Sequence, residues 1–335
     1  MRNDAPDDQR AGAGARTALL GPDIGNSTRV ALPPIARVVL WMIGTLLSFS
    51  AMAVSIRELS ATLSIMEILS ARAAAGLLIV GALLVIRPAL RRALNRRHLG
   101  LHALRNSIHF GAQYLWATSL LLLPLSTVFA LEFTMPAWTM LLASLLLGER
   151  MTPSRIGAVV LGLLGVFVIL RPGIETFHPA ALLVLTAALG YSVQNVATKQ
   201  LTTTESTFAI VFWMNVIQLP LGLIGADPWF ATRLGLHELP ALAGLGIAGV
   251  SAHYCLSNAF RAGDASLVVP LDFLRIPLIA VVGWWLYGEP LDIFVVAGAG
   301  LIILGLLWSL RREARSAIAA RIPASQTAPE EAVSP

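Results

Sequence analysis

The chain is short of the residues that build soluble surfaces and covalent staples. Only 13% of its 335 residues are charged, one is lysine (Lys199) and one is cysteine (Cys255). A lone cysteine forms no internal disulfide, and its place in an apolar run reads as a small buried side chain. There is no P-loop, no zinc-ligand spacing and no Gly-x-Ser-x-Gly elbow, which removes ATP hydrolysis, zinc chemistry and serine hydrolysis by these motifs. Nor is there a nucleophile with a base and an orienting partner, so no catalytic residue, metal ligand or cofactor is expected. The scarcity of lysine beside abundant alanine points to a GC-rich bacterial genome. The net charge of +5 is not a nucleic-acid footprint, because the arginines sit at the termini and between apolar runs.

Apolar residues fill the remaining space. They make up 56% of the chain, and its mean hydropathy is +0.74, beyond the balance of a soluble domain. Runs of about 20 apolar residues, enough to cross a hydrocarbon core about 30 Å thick, recur nearly end to end. Ten helices are expected, near 35–55, 66–86, 104–123, 127–147, 154–170, 179–198, 207–226, 239–259, 267–287 and 291–310. Leu123-Pro124, Gly148-Glu149, Arg171-Pro172-Gly173, Asp227-Pro228 and Glu289-Pro290 mark the turns. Residues 1–34 and 311–335 read as disordered polar tails. The expected fold is an all-α integral membrane protein in the lipid bilayer of a bacterial inner membrane.

Basic residues orient it. With both termini cytoplasmic, the inner loops hold Arg87, Arg91, Arg92, Arg96, Arg97, Arg105, Arg150, Arg155, Lys199 and Arg261. The outer side holds only Arg57, Arg171 and Arg233.

The chain also repeats itself at an offset of 140 residues. Ser126–Phe133 lines up on Ser266–Phe273, so that Glu132 falls on Asp272. Tyr114 falls on Tyr254, Gly148-Glu149 on Gly288-Glu289, and Gly165 on Gly305. A weaker match at 142 sets Ser50, Val54, Arg57 and Leu59 on Ser192, Val196, Lys199 and Leu201. Five helices per copy give the copies inverted topology, an architecture of secondary transporters. The first repeat is expected over 35–175 and the second over 176–310.

Ionisable groups inside hydrocarbon are costly and mark function. Glu67, Arg72 and Glu132 are expected in the outer half of the membrane, and His253, Asp272 and Arg275 in the inner half, as two polar layers flanking the midplane. Asp272 and Arg275 are one helical turn apart, which also fits a structural ion pair. His109 and His253 equally fit structural roles. Tyr114, Tyr254 and Asn195, with Gln113, Trp116, Tyr191, Gln194 and Asn258, are candidate cavity-lining residues. Pro136, Pro270 and Pro277 flank the acidic residues and fit kinks or a gate. Gly157 and Gly165, with Ala297 and Gly305 at matching offsets, form small-residue stripes for packing between the halves or between two copies in a homodimer. Trp284 and Trp285 read as interfacial anchors, and the Gly-Glu pairs as caps or turns.

The segments Leu146-Leu147-Gly148-Glu149-Arg150-Met151-Thr152-Pro153 and Leu286-Tyr287-Gly288-Glu289-Pro290, with the glycine-rich helices after each, resemble the repeated signature of the EamA family within the drug/metabolite transporter superfamily. The likeness spans roughly 38–310. It implies ten helices in two inverted repeats, a central cavity and ATP-independent carriage of small metabolites. Members of that family include amino-acid exporters and uptake carriers for S-adenosylmethionine or riboflavin. The family often places proline directly after the glutamate of its fourth helix. Here Phe133 follows Glu132, so kink geometry and substrate do not carry over. The leading expectation is carriage of a small polar or zwitterionic metabolite, with Glu132 or Asp272 binding a coupling proton. Vitamin or cofactor uptake is the alternative, and a lipid-head-group flippase or non-transporting membrane partner belongs to another class.

Overall fold

The computed structural model describes residues 33–119, 122–123, 125–170, 178–288 and 293–319. All but the last two residues of the expected N-terminal tail, the C-terminal tail beyond 319, and the turn residues Pro124, Arg171–Gly173 and Glu289-Pro290 lie outside them. The described residues are helical and contain no strand. Helices α1 (Pro34–Leu59), α2 (Ile65–Ile86) and α3 (Leu99–Ser119) lead into α4 (Leu125–Glu132), α5 (Met135–Leu147) and α6 (Pro153–Leu170). The second part runs through α7 (Ala181–Leu201), α8 (Thr207–Leu223), α9 (Leu239–Ala262), α10 (Ala265–Val268), α11 (Arg275–Tyr287) and α12 (Ile293–Ala319).

Among the described residues, six segments are long and apolar enough to cross a membrane: Pro34–Leu59, Ile65–Ile86, Ala181–Leu201, Leu239–Ala262, Ala265–Leu286 and Ile293–Ser316. Helix α3 is absent from that set because His102, Arg105, Asn106, His109 and Gln113 run along one side of it at helical spacing. That stripe is turned inward. His102, Arg105, Asn106 and His109 are buried, while Leu104 is exposed. Helix α3 begins near 99 rather than 104, and Arg105, expected in a loop, is a buried helical residue. Arg155, also expected in a loop, lies in the first turn of α6 and is buried. Helix α12 runs well past the expected end at 310, through residues of high helix propensity such as Arg311, Arg312, Glu313 and Ala314.

The expected fourth and ninth helices are both interrupted. Pro136 has no N–H to give the carbonyl of Glu132 four residues back, and its ring crowds that carbonyl. The chain therefore tightens at Phe133-Thr134 and restarts at α5, with Pro136 in the first turn, where a missing donor costs little. In the second part, α10 passes into a 3-10 segment, Val269–Leu274, with Pro270 in its first turn, before α11 begins at Arg275. Pro277 likewise withholds a bond from the Phe273 carbonyl. Each interrupted helix ends on a glycine in the left-handed region, Gly148 at φ 68° and Gly288 at φ 66°, a cap that any side chain would strain.

Helix α1 packs along α9 and α3 along α7, while α2 meets α8 and α6 meets α12. In hydrocarbon, helices associate mainly through close packing and hydrogen bonds. At the α6–α12 contact, a Cβ on Gly165 would lie 2.6 Å from the Gly298 carbonyl oxygen, and one on Gly305 would lie 2.8 Å from Leu161 Cβ. Gly157 faces the Trp308 ring in the same contact. Ala297 is exposed instead, and Gly298 makes the close approach one residue later. The rings of Phe133 and Phe273, the residues following Glu132 and Asp272, stack with centroids 5.8 Å apart in the main core.

Candidate functional site: two buried polar clusters

The joints bring three charges together. Glu132 is the last residue of α4, Asp272 lies in the 3-10 segment and Arg275 opens α11. Arg275 Nη2 donates to Glu132 Oε1 at 3.0 Å and to Asp272 Oδ2 at 3.0 Å. The indole Nε1 of Trp116 donates to Glu132 Oε2 at 2.7 Å. The guanidinium carbon lies 5.6 Å from the Phe49 ring centre and 5.1 Å from that of Phe133. Two carboxylates thus share one cation inside aromatic walls. Among the described residues, Asp272 Oδ1 and Arg275 Nε have no hydrogen-bond partner, so the cluster keeps free hydrogen-bonding capacity. The expected two separate layers are corrected here. Glu132 joins Asp272 and Arg275 in one cluster, because the two interrupted segments approach each other and the long arginine side chain spans what separates them.

The second cluster gathers around Arg72 of α2, which is 3% exposed. Its Nη2 donates to Gln113 Oε1 at 3.1 Å and to Gln218 Oε1 at 2.6 Å. Gln218 Nε2 lies 2.9 Å from His109 Nδ1, so that nitrogen is the acceptor and His109 carries its proton on Nε2. The His109 ring centre is 5.1 Å from that of His253 and 5.9 Å from that of Tyr191. His253 stands 5.7 Å from Phe49, which meets Arg275, so the two clusters are linked through these rings. Arg105 lies behind, with Nε on Thr198 Oγ1 at 2.9 Å and Nη1 on Asn106 Oδ1 at 2.5 Å.

Other candidates lie elsewhere. Glu67 closes a capping box with Ser64 and pairs with Arg233 at the start of α2, apart from Arg72. Tyr114 and Tyr254 are 43% and 40% exposed, and Tyr254 packs edge-on to Trp41. Asn195 is buried with Nδ2 3.6 Å from Met135 Sδ, and Gln194 bonds Thr198. Asn258 accepts from Thr207. Trp284 and Trp285 are exposed. Reading the sequence missed Phe49, Arg105, Asn106 and Gln218. The inward stripe of α3 was a legible signal for two of them, whereas Phe49 and Gln218 give no sign within apolar runs.

At one end of the bundle, Glu149 accepts from the backbone N–H groups of Ala265 and Ser266 at 2.8 and 2.9 Å, tying the end of α5 to the start of α10. Arg155 donates to Asp264 Oδ2 at 3.0 Å, Glu313 Oε1 at 3.1 Å and Ser266 Oγ at 2.6 Å. Lys199 Nζ donates to the carbonyls of Phe260 and Gly263 at 2.8 and 2.6 Å.

Comparison with known proteins places this geometry. The profile of the EamA-like transporter family matches residues 36–171 and again 178–311. The chain belongs to the EamA-like transporter family. A riboflavin transporter of Rhizobium johnstonii is 32% identical over 87% of this chain and 97% of its own length. An S-adenosylmethionine uptake transporter of Rickettsia prowazekii is 26% identical over 68% and 76%. A pseudopaline exporter of Pseudomonas aeruginosa is 27% identical over 78% and 91%. A solved crystal structure, 19% identical, covers 84% of this chain and 99% of its own with a TM-score of 0.71, a likeness of fold. This EamA-family chain is therefore a membrane transporter rather than an enzyme, and its buried charges belong to a transport protein.

Proposed function

We propose that this EamA-family protein is a secondary active carrier of a small polar or zwitterionic, amino-acid-like metabolite in a bacterial inner membrane. It works by alternating access, with Glu132 or Asp272 taking up a coupling proton. The observation that carries the reading is the Glu132–Arg275–Asp272 cluster, built from the interrupted helices of both parts of the chain. Discontinuous helices at the repeat interface are where transporters hold substrates and ions. A third buried charge on a shared cation gives the cluster an uncompensated carboxylate, which a proton or a cationic group would neutralise.

Ten spans in two inverted five-helix repeats, with both termini cytoplasmic, fit the helix contacts. Exchanging the two parts turns the α1–α9 contact into α7–α3 and leaves α2–α8 and α6–α12 in place. The twofold match of the family profile supports the same division.

The test begins with purified protein and a metabolite library screened for thermal stabilisation, since a ligand that favours the folded state raises apparent stability. Hits are then followed as uptake into proteoliposomes with and without a pH gradient. Amino acids or their derivatives are expected among the hits, and Asp272→Asn is expected to remain folded and lose transport. Full transport by Asp272→Asn would sink the assignment. A second reading, vitamin or cofactor uptake, is favoured by the riboflavin transporter relative and by the aromatic side chains Phe49, Trp116 and Phe133 around the cluster. Hits confined to flat aromatic cofactors would select it.

A further inference from the structure

The two buried clusters treat their cations differently. Arg275 is held by two carboxylates, and that cluster carries more negative than positive charge. A ligand carboxylate would be repelled there. Among the described residues, Arg72 has no carboxylate within ion-pair distance, and both partners of its Nη2 are neutral amides. Those two bonds use two of the five guanidinium N–H donors, leaving three on Nε and Nη1. Neither atom has a hydrogen-bond partner among the described residues, although both are buried. Arg105, a second buried guanidinium without a carboxylate, lies within electrostatic reach. Two buried cations with no counterion form a costly arrangement, which a structural ion pair would have avoided.

Gln113 and Gln218 fix Arg72 from one side, and His109 fixes Gln218 in turn. The free donors are therefore held in place by neighbours that bring no negative charge of their own. Orienting a cation while leaving it unneutralised is what recognition of an anion requires.

Resting on the carrier reading above, we propose that Arg72, oriented by Gln113 and Gln218, is the anion subsite of the transport pathway and receives the carboxylate of the substrate. The Glu132–Asp272 side takes its cationic or protonated part.

The experiment compares full-length wild type with Arg72→Met, Arg72→Lys and Asp272→Asn, all purified in detergent. Thermal unfolding is read first without additions. It is then read with a panel of L-amino acids, each beside its own carboxamide, and with sodium acetate beside sodium chloride at equal ionic strength. Without ligand, Arg72→Met is expected to unfold within about 4 °C of wild type, because removing an unpaired buried charge offsets the two hydrogen bonds lost to Gln113 and Gln218. A fall of more than about 4 °C, or failure to fold, would make Arg72 a structural ion and overturn the proposal. With ligands, acids are expected to stabilise wild type and their carboxamides are not. Arg72→Met should bind the acid about tenfold to a hundredfold more weakly, the loss of one charge-assisted contact. Arg72→Lys should fall between, and Asp272→Asn should keep the preference for acid over carboxamide. Equal stabilisation by acid and carboxamide, or undiminished acid binding by Arg72→Met, overturns the subsite. If no amino acid acts but acetate stabilises wild type and not Arg72→Met, the amino-acid reading falls and the subsite stands. If no carboxylate acts at all, the subsite falls, and the transport assay alone decides the carrier reading.

Discussion

The Glu132–Asp272–Arg275 cluster and the Arg72 cluster lie side by side, yet they arise from the sequence in different ways. In the first, two members occupy equivalent positions 140 residues apart, and the rings that follow them stack on each other. Repetition itself assembles this cluster. The second has no repeated counterpart for its charge, since the offset of 142 sets Arg72 on Met214. Its partners Gln113, Gln218 and His109 come from two further helices. Duplicated positions make the joints, and departures from duplication give one side of the interior its positive character.

Charge removal breaks the comparison most sharply. Arg275→Met strands two buried carboxylates and should cost about 3–5 kcal/mol, seen as a large fall in unfolding temperature or yield. Arg72→Met strands no ion, only two amide oxygens, and should cost far less, so equal losses from the two changes would erase the distinction. The next effect concerns packing at repeated positions. Gly165→Leu and Gly305→Leu push into the same helix contact and should each cost about 1–3 kcal/mol, whereas Ala297→Leu, on an exposed face, should leave the unfolding temperature unchanged. Glu149→Gln keeps its shape but loses the charge facing two backbone N–H groups and Ser266 Oγ. It should cost about 1 kcal/mol in denaturant-free thermal unfolding. Smallest of all, Tyr114→Phe and Tyr254→Phe, at repeated but exposed positions, should leave transport of any identified substrate unchanged. A lost rate would return them to the pathway.

Much of the helix pattern was legible because hydrocarbon admits few alternatives: long apolar runs become helices, and their backbone bonds close within each run. Glu132 and Asp272 were legible as a repeated polar pair in an apolar background. Their meeting through Arg275 was not, since linear depth along two helices does not reveal where those helices approach. Arg105 and Arg155 were assigned to loops because basic residues usually mark loops. Arg105 instead faces inward on the polar stripe of α3, and Arg155 is held by acids from distant segments. Phe49 and Gln218 carry no local signal, because their roles exist only once the neighbouring helices have closed around them.

The chain's single lysine has a practical consequence. Lys199 spends its ammonium on the carbonyls of Phe260 and Gly263, at the end of the bundle that Glu149 and Arg155 also fasten. An amine engaged in this way reacts slowly with acylating reagents, while one released to water reacts readily. Apart from the N-terminal amine, every acylated amine in the protein must therefore be at this one position. A labelling rate becomes a clock for how often that end lets go, obtained without introducing a probe.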